Sequence, residues 1–235
     1  MWDWWNRWRA ARYQRKVALR AEAFWRWFRS TSEPLPEIIR SELSSEGPSP
    51  NIAAWVAELN RRAAAYHPAV RAVLGRSPDA PELVVTSEGN PAGAEHVRFL
   101  VASRPPLPAW TIRAFKPPLP NCVVHFGPIT LTPDDVEFAV IDVEHPDIGK
   151  LTLLLLFVPG LANAHEEEVR FAARKLVEGV LGEETFLPWS SWLVMEDRER
   201  PAEKVAQTER QPLRQLPAFL NAIVIPPSWE SRTRR

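Results

Sequence analysis

Leu151-Thr152-Leu153-Leu154-Leu155-Leu156-Phe157-Val158 is the stretch on which the fold turns. The near-continuous run from Leu153 to Val158 lacks the alternation of a half-buried strand, so it predicts a central strand covered on both faces. The wider apolar run, Leu151 to Leu161, is too short to span a bilayer, which takes about 20 residues, and Pro159-Gly160 interrupts it. Outward from it, Asn121 to Phe126 and Val136 to Val143 read as preceding strands. His165 to Leu181 reads as a helix, with Glu166, Glu167 and Glu168 placed to complement its dipole and Gly182 past its end. Trp189 to Met195 reads as the strand that closes the sheet. Glu196 to Arg210 is rich in charge and poor in apolar residues, which predicts a solvated linker. A short amphipathic piece around Leu213, Leu216, Phe219 and Leu220 is expected to dock back, and Arg232 to Arg235 to fray.

Towards the N-terminus, residues 7 to 29 contain no Gly or Pro and carry a stripe of Ala10, Tyr13, Val17, Ala21, Phe24 and Phe28 at helical spacing. Glu33-Pro34-Leu35-Pro36 ends this helix and Ser44 to Pro50 reads as a loop. Asn51 is placed to cap a second helix, Ile52 to Tyr66, with Arg61 and Arg62 towards its C-terminal end and His67-Pro68 as the stop. Ala69 to Leu74 and Glu82 to Thr86 read as strands around a Ser77-Pro78-Asp79 turn. Pro91 to Ser103 reads as a helix, Trp110 to Phe115 as a strand, and Pro117, Pro118 and Pro120 as an extended link. Adjacent strands joined by turns predict an α+β fold with a mostly antiparallel sheet, helices packed on one face and N-terminal helices preceding it. The expected organisation is a Trp/Arg-rich extension over 1–16, a single α+β domain over 17–195, and a charged linker and tail over 196–235.

The 29 basic and 29 acidic side chains among 235 residues cancel, which disfavours a protein whose surface is a nucleic-acid footprint. Cys122 is the only cysteine, so an intrachain disulfide and a Cys-based zinc site are excluded. In Cys122-Val123-Val124 it reads as a small buried hydrophobe. Charges at Asp3, Arg7 and Arg9 interrupt any apolar signal segment. A cytoplasmic, non-integral protein is the expectation.

Three further stretches carry a resemblance. Phe24-Trp25-Arg26-Trp27-Phe28, Glu82-Leu83-Val84-Val85-Thr86 and Leu107-Pro108-Ala109-Trp110-Thr111-Ile112-Arg113-Ala114-Phe115 resemble the Phe-Trp-x-Trp-Phe helix, the Glu-Leu-Val-Ile-Ser strand and the Leu-Pro-Gly-Trp-x-Ile-x-Ala-Phe segment of a bacterial family of unknown function. Leu181-Gly182-Glu183-Glu184 is similar to that family's helix end. The resemblance covers about residues 20–195 and implies an α+β domain with no assigned activity. Ala109 stands where the pattern has glycine.

Gly-x-Gly-x-x-Gly, the P-loop, Gly-x-Ser-x-Gly and His-Glu-x-x-His are all missing, and Val169 occupies the place of the second histidine after His165-Glu166. No residues are therefore assigned to catalysis or to a cofactor, and a binding or interaction protein is favoured over an enzyme. The acidic set Asp134, Asp135, Glu137, Asp142, Glu144, His145 and Asp147 offers an alternative metal-binding enzyme reading, against which stand two ordinary turns and no EF-hand spacing. His67, His96, His125, His145 and His165 have no paired spacing and read as structural. Trp110, Trp189 and Trp192 read as core before ligand platform.

The unusual composition lies at the start. Trp2, Trp4, Trp5 and Trp8 precede Arg9, Arg12, Arg15, Lys16 and Arg20. On one continuous helix the docking stripe spans about 80°, and Trp2, Trp5 and Trp8 project away from it among the cations. Trp2, Trp5, Trp8, Arg9, Arg12 and Lys16 are the expected contact residues. Three readings follow: contact with a protein partner or another copy of the chain, association with an anionic membrane surface, or an enzyme whose site is dispersed, for example over the acidic set; against them stands plain packing of the tryptophans under the tail near Trp229.

Overall fold

A computed structural model of the protein describes residues 2–36, 38, 50–75, 80–145, 147, 149–162 and 165–222. Residues 44–49 of the loop expected over 44–50, the turn at 77–79 and the tail with Trp229 lie outside these residues, while Pro50 is already helical. The fold is α+β, and the chain divides into two compact units, 1–116 and 117–235. The expected single body over 17–195 spans this boundary. Among the described residues the strands form three sheets, mostly antiparallel as expected.

The first unit holds α1 (Trp2–Ser32), α2 (Pro50–Tyr66), β1 (Arg71–Gly75), β2 (Glu82–Thr86), α3 (Pro91–Ala102) and β3 (Thr111–Ala114). β1 and β2 pair antiparallel; β2 and β3 pair parallel, with α3 as the crossover. Asn90 opens α3, its side chain accepting from the Ala92 N–H, and Pro91 follows at the first turn, where no N–H is needed. Gly93 is required for close packing, because a Cβ there would meet the Ala69 carbonyl oxygen and the Ser87 Cβ at 2.7 Å. α2 starts at Pro50, so Asn51 lies inside the helix and not at its cap. Arg61 and Arg62 serve Glu58 at 2.6 Å and leave the last turn without a basic residue.

Aromatic packing fixes α1 to this unit. Phe28 is fully buried among Phe24, Trp25, Trp55 and Trp110, with ring centroids 5.0 to 6.3 Å away. Trp25 Nε1 donates to the Leu100 carbonyl at 2.8 Å, stapling α1 to α3. The resemblance motif around Phe24 to Phe28 is thus a packing motif here, and Trp110 is core.

In the second unit a hairpin of β4 (Val124–Phe126) and β5 (Ile129–Leu131) precedes β6 (Glu137–His145) and β7 (Gly149–Val158). Next come α4 (Glu166–Leu181), α5 (Glu183–Phe186), β8 (Leu193–Asp197), α6 (Glu203–Ala206), β9 (Gln211–Pro212) and α7 (Leu216–Ala222). The sheet runs β8-β7-β6-β9, antiparallel except where β7 meets β8. β7 is central, and Leu154 to Val158 are all buried. Leu154, Leu156 and Val158 share the main core with Val169, Leu176 and Val180 of α4 and with Leu213, Leu216 and Leu220. The predicted docking of the last amphipathic piece is therefore observed.

Leu155, Phe157 and Ala139 form a second, smaller cluster with Ile141 and Val205. The segment expected as a solvated linker lies over it. The Arg210 guanidinium sits 3.8 Å from the Phe157 ring centroid and 3.6 Å from the Glu137 carboxylate, and Arg198 donates to the Asp135 carbonyl at 2.8 Å. Asp197, at the end of β8, accepts from the backbone N–H groups of Ala162, Glu199 and Arg200. Counting charges as solvated misread this segment, because arginine stems cover apolar surface while their heads pair.

Candidate functional site

α1 is one helix with two environments. From Ala21 onward it docks; from Trp5 to Lys16 every side chain is exposed, Val17 is half-buried, and Ala18 to Arg20 are exposed again. Ala10 and Tyr13 were expected in the docking stripe and are instead exposed. The exposed stretch, Trp5 to Arg20, is about 24 Å of helix. The side chain of Trp2 lies outside what is described.

At about 100° per residue, Arg15, Trp8, Leu19, Arg12, Trp5, Lys16 and Arg9 fall in that order around an arc of about 120°. Trp5 and Trp8 are 49% and 44% exposed and meet edge to face at 5.5 Å. The Arg9 guanidinium lies 5.4 Å from the Trp5 ring and that of Arg12 5.4 Å from the Trp8 ring. Each cation is the i+4 neighbour of its indole, the spacing that stacks side chains on a helix face. Arg9, Arg12, Arg15 and Lys16 make no salt bridge among the described residues, and no carboxylate occurs between Asp3 and Glu22. Indoles held by their own arginines lose little freedom on binding, which suits a recognition surface.

A second cluster joins the middle of α1 to the first unit. Tyr13 Oη and His96 Nε2 share a hydrogen bond of 3.1 Å, the Tyr66 hydroxyl donates to the His96 carbonyl at 3.0 Å, and the His67 and His96 rings stack at 3.8 Å. The Ala69 N–H donates to His67 Nδ1, so a neutral His67 carries its proton on Nε2. Burial, and then Arg20, lowers the pKa of His67. For His96 burial acts first, then His67, with Glu95 opposing. Burial raises the Tyr66 phenol, with Tyr13 adding to the effect. The histidines show no paired spacing in sequence, and only the fold of α1, α2 and α3 brings two of them together. A groove of about 300 Å³ on another side of α1 is lined by Glu22, Trp25, Arg26, Arg29, Phe99 and Ser103, among others.

The acidic set is dispersed. Asp134 pairs with Arg214 at 2.8 Å and Asp142 with Lys150 at 2.8 Å, while the Asp135 carboxylate accepts from the Thr132 N–H and hydroxyl and Glu137 faces Arg198 and Arg210. No group of three His, Cys, Asp or Glu side chains suited to a metal ion occurs among the described residues. Cys122 is half-buried against α4, and burial raises its thiol pKa, which makes it a poor nucleophile. Trp189 is core and Trp192 is exposed. No helix among the described residues is long and apolar enough to cross a membrane.

No family model, no curated protein and no solved structure matches this chain. The functional reading therefore rests on these residues alone.

Proposed function

We propose that the protein is a non-enzymatic binding module that offers the exposed first part of α1 to an acidic, aromatic-accepting surface on a protein partner. The observation that carries this reading is the single arc on which Trp5 and Trp8 alternate with Arg9, Arg12, Arg15 and Lys16. A helix that lies in a membrane surface separates an apolar face from a cationic one. Here both kinds share one face, which fits side chains that insert between carboxylates and rings better than a face that sinks into acyl chains. Trp and Arg are also the residues most enriched at interface hot spots.

The test places a photo-crosslinking amino acid at position 8 of the full chain in living cells. Discrete protein adducts that vanish in Arg9→Glu/Arg12→Glu support the reading. It fails if no protein adduct forms, or if the chain floats with phosphatidylglycerol vesicles in a manner that depends on Trp5 and Trp8.

A further inference from the structure

The neutral total conceals an uneven distribution. Residues 1–116 hold 17 basic and 11 acidic side chains, whereas residues 117–235 hold 12 basic and 18 acidic. The second unit also exposes rings. Phe126 of β4 and Phe171 of α4 are 40% and 43% exposed and lie 4.4 Å apart between centroids, with Val123 exposed on the same segment as Phe126. The Phe171 ring already receives a cation, Lys175 Nζ at 5.9 Å. One turn before Phe171, Glu167 is exposed. Glu166 is taken by Arg170 and Glu168 faces His165, but Glu167 has no partner among the described residues.

The spacing on the two helices is complementary. Along α1 an indole precedes a cation by four residues, Trp8 and Arg12; along α4 a carboxylate precedes a ring by four, Glu167 and Phe171. Two helices laid antiparallel would set Trp8 against Phe171 and Arg12 against Glu167 in a single register, since residues four apart stack on one face. We infer that the N-terminal helix of one molecule docks on the Phe126, Phe171 and Glu167 surface of a second copy of this chain. This rests on the reading of the arc as a protein-contact surface and names its partner. The two surfaces differ, so the contact is head-to-tail, and each copy has one of each to offer. The groove beside α1 is the wrong receptor, as Glu22 in its lining is already paired with Arg26 at 2.6 Å and Arg29 adds a further cation.

Sedimentation velocity of the full chain in low salt tests this. The sedimentation coefficient should rise between about 1 and 100 μM, fall back in high salt, and shift to about tenfold higher concentration in Arg12→Glu and in Glu167→Arg. The double variant Arg12→Glu/Glu167→Arg should regain self-association, because the exchanged charges meet again. Unchanged circular dichroism and melting of each variant, all at exposed positions, separates lost contact from lost fold. A chain that stays monomeric at every concentration, or a double variant that fails to recover, overturns the inference. If the chain is monomeric while position 8 still crosslinks to a different protein, the second copy is wrong and the binding module stands; if both fail, both are wrong.

Discussion

The two parts of α1 share a backbone and almost nothing else. Ala21 to Ser32 buries Ala21, Phe24, Trp25 and Phe28, with Phe28 against Trp55 of α2 and the Trp25 indole N–H on the Leu100 carbonyl of α3. Trp5 to Arg20 also carries rings, Trp5, Trp8 and Tyr13, yet all three stay exposed: the indoles meet each other and their own arginines, and Tyr13 meets His96. Indole content alone therefore says nothing about burial. What differs is the company: Phe24, Trp25 and Phe28 leave a wide apolar sector free of charge, while each of Trp5 and Trp8 has a cation one turn ahead.

The contrast can be broken from its docked end. Phe28→Ala removes a ring in contact with four others and should cost about 3 to 5 kcal/mol in denaturant unfolding. Trp25→Phe keeps most of the volume but removes the indole donor from the Leu100 carbonyl, which retains the Ser103 hydroxyl at 2.9 Å, a loss of about 1 kcal/mol in the same measurement. A cost below that of an exposed substitution in either variant would show that α1 is not clamped where the rings suggest.

The boundary between the parts should answer to pH. His67 and His96 have pKa values below the usual 6.5, so below that range the unfolded chain binds protons that the folded one resists. Their contribution is fully present above about pH 7 and is lost as pH falls through 6.5 and onward to the folded values. Melting temperatures taken downward from neutral pH should drop, and less so in His96→Gln. Glu58, held at about 2 by Arg61 and Arg62, and Asp142 and Asp197, also lowered, act only at lower pH. Tyr13→Phe removes the hydrogen bond to His96 and should cost at most about 1 kcal/mol, since the group is solvated.

The smallest effect belongs to the exposed end. Trp8→Ala should change unfolding by no more than about 0.5 kcal/mol while abolishing the position-dependent contacts proposed for the arc. Amide exchange offers an independent view, with residues 5–16 exchanging ahead of residues 21–32.

Much of this architecture is legible in the residues. Leu153 to Val158 reads as a central strand because six apolar residues without alternation leave no solvent face, and Leu213, Leu216 and Leu220 read as a docked piece from their spacing. The unit boundary near Lys116 is not legible, because Pro117 to Pro120 looks like any extended link until the pairings on either side are known. β5 escapes notice as a three-residue strand. The covering role of Arg210 is hidden because a charge count cannot show where an arginine stem lies. For the site, the phase of Trp5, Trp8, Arg9, Arg12 and Lys16 is readable from helical geometry. The stacked histidines are not, being 29 residues apart and joined only by tertiary packing.

The parallel pairing of β7 with β8 has a consequence for the chain as it is made. β8 begins at Leu193, so one edge of β7 waits for more than thirty residues of synthesis before its partner exists. During that interval Leu153 to Val158 is six apolar residues with no charge, Pro or Gly, the composition from which cross-strand aggregates grow. Lys150 before it and Pro159-Gly160 after it are gatekeepers that limit how far a stray strand can extend along that edge.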